Sequence, residues 1–547
     1  MKVYKNGLIY TVDGSRSCAQ AFAVDGNKFV YVGSDDGAKA YEWDADEVID
    51  LNGKFVLPGL IDGHAHPIGA AVFNCGLILN DYPDKESLLT AVKQYVADNP
   101  DEQSYFGMGW KEAIFAADPN GPTTDLLDEI CTDKPIALLS SSCHTCWVNS
   151  KAFELAGIDK NTPDPKPGSH FFVRDDEGNP TGYCKEITCI QMIFAGTDYI
   201  KGDLVLEKLS ELAARYASVG VTSVQDSGCF DFFVQCYNDN LFEYVNKPEF
   251  KIRMNTCGLC ASSIDTVSQA IDIVRNSKDK YATDKLNCNF LKLIGDGTVE
   301  NTTAAMPLAY GDKAEPITPS FTEVQVFDSI MAANELGVGF NMHVIGSSAN
   351  DIFVKAVGRA RKAGAKNRIT SSHSEYVFEE NLPLIKEYGI FCNGTPVWWF
   401  TLDSEFEKYI DNVTKALAKP FKSYIDAGIK CGFGSDFPTD TAGFDPRKNF
   451  TSGITRKNYT PYGQSGYVYK PDERLTLSEL IEGYTINNAY EFQMEDKIGS
   501  IEKGKLADFV IFEDNLFELE KTDPELLKEA KIVETVMDGR TTYKYCE

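Results

Sequence analysis

Two of the six histidines in this 547-residue chain stand two positions apart, His64 and His66 in "LPGLIDGHAHP". Residues i and i+2 of a strand point the same way, so two imidazoles there are aimed at one point. Neutral imidazole is the commonest protein ligand for zinc-like ions. An H-x-H pair alone is weak, because two surface histidines can fall so by chance. Its company strengthens it. His343 in "NMHVIG", His373 in "ITSSHS" and Asp436 in "CGFGSD" each close an apolar run. Lys292 lies inside the apolar "NFLKLIGDG", where a lysine is costly unless paired or neutralised. Asp296, four residues on, is its candidate partner and is also counted among the substrate-facing residues.

The elements that must position these residues follow one pattern. An amphipathic helix closes on glycine, and a short apolar strand follows that ends in a polar or ionisable residue. "LSELAARYASVG" leads to "VTSVQDSG", "DSIMAANELG" to "VGFNMHVIG", "LPLIKEYG" to "IFCNGTP" and "FKSYIDAG" to "IKCGFGSD". Gly220, Gly337, Gly389 and Gly428 sit where a helix C′ residue needs positive φ. Near-continuous apolar strands are those of a parallel sheet covered on both faces. Ionisable residues at the C-terminal ends of several strands, Asp226 among them, converge in a closed barrel but spread along an open sheet. The expected fold is therefore an α/β barrel.

The termini read differently. Residues 1–57 and 496–547 hold short alternating strands with Asp-Gly turn signals at 25–26 and 538–539. Each is too short for a core of its own, so the two are expected to pair into one small β-sandwich. The barrel is then residues 58–495. The stretch between 66 and 220 is far longer than one barrel connection, so an inserted subdomain is expected at about 70–205. It carries "GMGWKEAIF", "SSCHTCWVNS" and "GNPTGYCKEI".

The bulk numbers exclude several classes. Hydrophobic (43%) and charged (24%) fractions are those of a soluble globular protein, and no apolar run approaches the ~18 residues of a membrane span. A net charge of −28 repels phosphate backbones and makes nucleic acid an unsuitable partner. The start "MKVYKNGLIYTVDG" lacks the shape of a signal peptide, so a cytoplasmic location is expected. Fifteen cysteines are too dilute for a disulfide scaffold. Cys143/Cys146 and Cys257/Cys260 form two CxxC pairs. Together they could make a four-cysteine zinc site, but reduced buried cysteines are the simpler reading.

Taken in order, "VLPGLIDGHAHP", "GVTSVQDSG", "FLKLIGDG", "MHVIGSSA", "RITSSHS", "GFGSDFP" and "IGSIEKGKLADFVIF" resemble the metal-dependent amidohydrolase superfamily over essentially the whole chain. Within it they look most like the long-chain branch that includes N-substituted formamide deformylases. The resemblance implies a distorted (β/α)8 TIM barrel plus a terminal β-sandwich. It implies one or two divalent metal ions, zinc first with manganese or iron as alternatives. His64, His66 and Asp436 would hold the more buried ion, and His343 with His373 the second. Lys292 would be carboxylated and bridge them. His144, in "SSCHTCWVNS", matches a histidine that faces substrate in the branch. Three positions depart from the branch: Ser347 after Ile345-Gly346 and Ser372 before His373 replace acidic residues, and Ser142-Cys143 replaces Asp-Gly before His144. His170 is left over and reads as a surface residue.

The function expected is hydrolysis of a non-peptide, amide-type C–N bond of a small molecule by a cytoplasmic homodimer without nucleic-acid or membrane partners. Metal-activated hydroxide would attack the carbonyl, Asp436 would serve as general base and then acid, and His144 would help at the oxyanion. Trp110, Trp147, Trp398 and Trp399, with Phe400, would line the pocket. The alternatives are a cyclic amide, imine or carbamate hydrolase, a decarboxylase on the same ligands, or an inactive scaffold.

Overall fold

The computed structural model describes residues 1–115, 118, 121–165, 170–229, 238–299, 303–309, 315–399, 416–439, 443–457 and 468–546. Phe400 lies outside them. The chain divides into two compact units: Met1–His66 with Ser210–Phe230 and Asp239–Glu547, and Pro67–Leu209 with Asp231–Asn238.

The first unit holds the repeated helix-to-strand pattern. Gly220, Gly337, Gly389 and Gly428 adopt φ of 82°, 71°, 62° and 80°, the left-handed turn that stops each helix. The strands that follow are buried on both faces: Val221–Asp226, Gly339–Val344, Ile390–Gly394 and Cys431–Phe433. They belong to two parallel sheets. One has the order Leu286–Cys288, Arg253–Thr256, Val221–Asp226, Leu60–Ala65. The other runs Cys260–Ala261, Phe290–Ile294, Gly339–Val344, Ile369–His373, Ile390–Gly394, Cys431–Phe433. Only Asn289 separates Leu286–Cys288 from Phe290–Ile294. At the far ends, Asp436 N donates to His64 O (2.7 Å) and His66 N to Phe437 O (2.8 Å).

The terminal segments of this unit pair with each other. Phe55–Pro58 lies antiparallel to Phe509–Phe512 in a six-stranded sheet. Ala21–Asp25, Lys28–Gly33, Lys2–Lys5 and Glu47–Asp50 make a four-stranded sheet. Phe22 and Phe29 from the second meet Phe509 from the first in one apolar cluster. Asp538–Gly539 is a two-residue hairpin turn, with Met537 opposite Arg540. The other turn falls one residue later than its Asp-Gly signal, on Gly26–Asn27, since Asp25 pairs with Lys28.

Arg253 is fully buried and anchors this segment. Its guanidinium meets Asp508 and lies 2.8 Å from Asp538 Oδ1. A buried guanidinium is tolerated because both carboxylates and the Asp284 carbonyl satisfy its donors.

The second unit has a six-stranded mixed sheet, ordered Phe171–Arg174, Pro180–Lys185, Thr145–Val148, Ile136–Ser140, Tyr105–Trp110, Leu77–Ile78. Its apolar core includes Trp110, Trp147, Phe115 and Leu138. Among the described residues, no helix is long and apolar enough to cross a membrane.

Candidate metal centre

His64, His373 and Asp436 are buried, and one ligand atom from each lies within 4.8 Å of the others. The backbone brings them there. His64 is the fifth residue of Leu60–Ala65, His373 ends Ile369–His373, and Asp436 follows Cys431–Phe433. A Cβ at Gly434 would sit 2.4 Å from His64 N, so the approach of the two strands requires glycine. His373 (φ 70°) and Asp436 (φ 52°) both hold left-handed backbone. Non-glycine residues there are strained, and such strain gathers at functional sites.

Around this nest lie the remaining expected ligands. His66 Nε2 is 3.0 Å from Asp436 Oδ1, and His64 Nε2 is 3.5 Å from the same oxygen. Lys292 Nζ is 3.4 Å from His64 Nε2. The His343 ring stacks edge-on against His373, with centroids 4.4 Å apart. His373 therefore sits with His64 and Asp436 as well as with His343, rather than in a separate pair.

Proton positions show what this geometry needs. His66 Nδ1 lies 2.6 Å from Gly228 O, which can only accept, so Nδ1 carries the hydrogen. Neutral His66 then turns a lone pair on Nε2 toward Asp436 Oδ1, a buried oxygen without a hydrogen-bond donor. Similarly, Ser372 Oγ donates to Asn341 Oδ1 (2.5 Å) and accepts from His64 Nδ1 (3.1 Å). That leaves the His64 Nε2 lone pair facing the same carboxylate. Three buried acceptor atoms around one point fit a divalent cation. Burial holds His64 and His373 well below the ordinary imidazole pKa and brings His343 down to about 4, which favours the neutral, ligating form. For His66 burial also opposes the charge, but the Asp436 carboxylate outweighs it and raises the pKa.

Lys292 is buried, and its ammonium meets only His64 Nε2, Asn341 Oδ1 (3.4 Å) and Ser372 Oγ (3.5 Å). No carboxylate lies within ion-pair distance of it among the described residues. Burial pushes its pKa down. The ion pair with Asp296, the simpler alternative for Lys292, is not formed. Asp296 accepts from Ala305 N (3.0 Å), Ile345 N (3.0 Å) and Gly346 N (2.7 Å), so it holds the loop after His343. Its side chain is fully enclosed, which leaves no face for substrate.

Three tryptophans are likewise corrected. Trp110 and Trp147 are wholly buried in the second unit's core, and their indole N–H groups donate to Leu138 O and Thr123 O, each at 2.8 Å. Trp399 is buried between Phe421 and the Arg456 guanidinium. All three fill apolar cores instead of lining a pocket. Trp398 alone faces the nest, stacked on His373 at 5.4 Å between centroids. Two successive tryptophans diverge at a 3-10 turn, Pro396–Trp398, so one faces each way.

His144 belongs to the second unit, where its Nδ1 lies 2.8 Å from Glu186 Oε2. His170 is half-buried, with Nδ1 2.8 Å from Thr188 Oγ1, rather than a plain surface residue. The CxxC pairs fall in different units, and no cysteine cluster fit for a metal occurs among the described residues.

Sequence reasoning missed Asp62, Asn341, Asn393 and Glu491. Asp62 accepts from His64 N (3.2 Å), Ser435 N (2.9 Å) and Ser435 Oγ (2.6 Å), and so ties the first ligand strand to the last. Burial pushes its carboxyl up to about 7. Asn393 Nδ2 bridges Gly63 O and Glu491 Oε2. Asn341 had a signal: it stands two residues before His343, on the same strand face.

Parallel strands that converge on a buried histidine–carboxylate nest define a TIM-barrel-like α/β hydrolase site. Comparison with known proteins agrees. The amidohydrolase family profile matches residues 47–543, and the chain belongs to that family. It is 31% identical over 407 residues to the exoenzymes regulatory protein AepA of Pectobacterium carotovorum subsp. carotovorum, spanning 72% of this chain and 85% of that one. It is 25% identical to N-substituted formamide deformylase of Arthrobacter pascens, over 98% of this chain and 97% of that one. A crystal structure of an uncharacterized metal-dependent hydrolase from Pyrococcus furiosus superposes with a TM-score of 0.72 at 22% identity, covering 94% of this chain and 99% of that one.

Proposed function

We propose that this protein is a metal-dependent hydrolase that cleaves the C–N bond of a small, amide-type substrate. The observation that carries the reading is the convergence of buried His64, His373 and Asp436, one ligand atom of each within 4.8 Å of the others, with His66 Nε2 3.0 Å from Asp436 Oδ1. Similarity to a formamide deformylase over nearly the full length supports the amide-type substrate.

His64, His66, His373 and Asp436 would hold the first ion, with His343 beside them for a second. Lys292, buried and with no carboxylate at ion-pair distance among the described residues, would join them in carboxylated form. Zinc suits imidazole and carboxylate donors, with manganese or iron as alternatives. A bound divalent ion lowers the pKa of water and polarises a carbonyl. Asp436 takes the proton of the attacking water on its carboxylate. It then delivers that proton to the departing nitrogen, so the C–N bond breaks to an acid and an amine. Ser372 and Asn341 hold the His64 ring with Nε2 inward. Trp398 shields the nest from water and offers an aromatic face to the substrate.

We read the two parallel arcs as one distorted (β/α)8 barrel over residues 58–495 with an insertion at about 70–205. The backbone bonds between Asp436 and His64 and between His66 and Phe437 support its closure. The paired terminal sheets, sharing Phe22, Phe29 and Phe509, support a composite sandwich of residues 1–57 and 496–547. The strongly negative charge supports a small-molecule partner over nucleic acid.

The test is turnover of a panel of N-formyl and N-acyl amines. Metal-loaded wild type is expected to release amine, and Asp436→Asn to lose at least about a hundredfold in kcat, the usual scale for a general acid–base residue. Full turnover by metal-loaded Asp436→Asn contradicts the role given to Asp436.

A further inference from the structure

The motif "GNPTGYCKEI" contains Glu186, which the metal centre does not use. Glu186 and His144 are held together twice. His144 Nδ1 meets Glu186 Oε2 at 2.8 Å, and Glu186 N donates to His144 O at 2.7 Å. The strands leading to them pair at Thr145 and Lys185. Each residue is reached through left-handed backbone: Cys143, just before His144, has φ 59°, and Glu186 itself has φ 73°. Neither is glycine. Strain on both sides of one contact means the surrounding fold enforces it.

The neighbours reinforce the same arrangement. Ser142 Oγ lies 3.2 Å from His144 N and donates to Glu112 Oε1 at 2.6 Å, while Thr145 Oγ1 donates to that same oxygen at 3.1 Å. Glu186 begins the helix Ile187–Ala195, yet its side chain caps no helix N–H. Its carboxylate is committed to the imidazole. His144 Nε2 has no partner among the described residues, and the side chain is 31% exposed.

We infer that Glu186 is the positioning residue of His144: it fixes Nδ1–H inward and presents Nε2 as a charged donor for a carbonyl or carboxylate oxygen. An ordinary exposed ion pair would need neither the second backbone bond nor two strained residues. The charged groups around the ring act in the same sense. Burial opposes the imidazolium, but Glu186 and then Glu112 outweigh it, so the His144 pKa is raised. Burial opposes the Glu186 carboxylate, but His144, with His170 and Lys185, outweighs it and lowers its pKa. The inference stands whether or not the metal reading does.

The test is a pH titration of the full-length protein labelled with 13C in histidine. His144→Gln assigns its signal among the six. Wild-type His144 is expected to titrate above the ordinary 6.5. In Glu186→Gln, which keeps an acceptor but loses the charge, the midpoint is expected to fall, and in Glu186→Asp to return part of the way. A wild-type midpoint at or below 6.5 overturns the inference without recourse to any variant. An equal midpoint in wild type and Glu186→Gln also overturns it.

Discussion

His66 Nε2 and Asp436 Oδ1 stand 3.0 Å apart, while His66 Nδ1 is turned the other way, 2.6 Å from Gly228 O. Two buried lone pairs at that distance repel unless a cation or a proton lies between them. His64 adds a third lone pair 3.5 Å from the same oxygen. A divalent ion would be met by all three atoms at once, with both imidazoles neutral.

Ser372 and Asn341 set how tightly that ion is held. Ser372→Ala removes the acceptor for His64 Nδ1–H and frees the ring to turn. Outer hydrogen bonds of this kind are worth roughly 10–100-fold in metal affinity. Competition with a chelating dye is expected to show a loss of that order with the fold intact. Unchanged affinity removes Ser372 from the site.

The tryptophans separate by role. Trp110→Ala and Trp147→Ala should each cost about 3–5 kcal/mol of stability, the usual loss for a buried indole. Trp398→Ala should change kcat/KM with little effect on stability, because Trp398 stacks on His373 at the nest rather than filling a core. Urea unfolding and steady-state kinetics on the three variants check both statements.

Arg253 holds the terminal strands through Asp508 and Asp538. Arg253→Ala leaves the buried Asp508 carboxylate and the half-buried Asp538 uncompensated, and breaking a buried pair in this way costs about 3–5 kcal/mol. Denaturant unfolding should show that loss. A change under about 1 kcal/mol would mean the pairing is no more than a surface contact.

Glu491 gives a pH signature. It is buried, and burial pushes its carboxyl from 4.5 up to about 8 although Thr370 and Asn393 bond to it. Between those values the folded chain keeps a proton that the unfolded chain releases. Stability therefore falls as pH rises through that window, by up to about 1.4 kcal/mol per pH unit from this group. Glu491→Gln removes that slope. Melting curves of metal-free wild type and Glu491→Gln should diverge from pH 4.5 to 8 and run parallel above it. Parallel curves throughout would contradict the assignment.

Much of this was legible in the residues. The helix-ending glycines announced the strand starts because only a left-handed residue ends those helices cheaply. His64, His66, His343, His373 and Asp436 were visible because ionisable groups at the ends of apolar strands have few other reasons to be there. Lys292 stood out as a cation in an apolar run. The supporting layer was hidden. Ser372 and Asn341 look like ordinary polar strand residues, and their meaning lies in contacts between strands. Asp62 is two residues from His64, yet its partner Ser435 is 373 positions away. Trp110, Trp147 and Trp399 were misjudged because a position in the sequence does not say which way an indole packs.

The most direct test is the metal content of protein purified without added metal, then stripped with chelator and reloaded. Plasma mass spectrometry should find one or two equivalents of zinc, manganese or iron in wild type before stripping and again after reloading, and a clear deficit in a His66→Ala, Asp436→Ala double variant. Substoichiometric metal in reloaded wild type, or equal uptake by the double variant, would contradict the account.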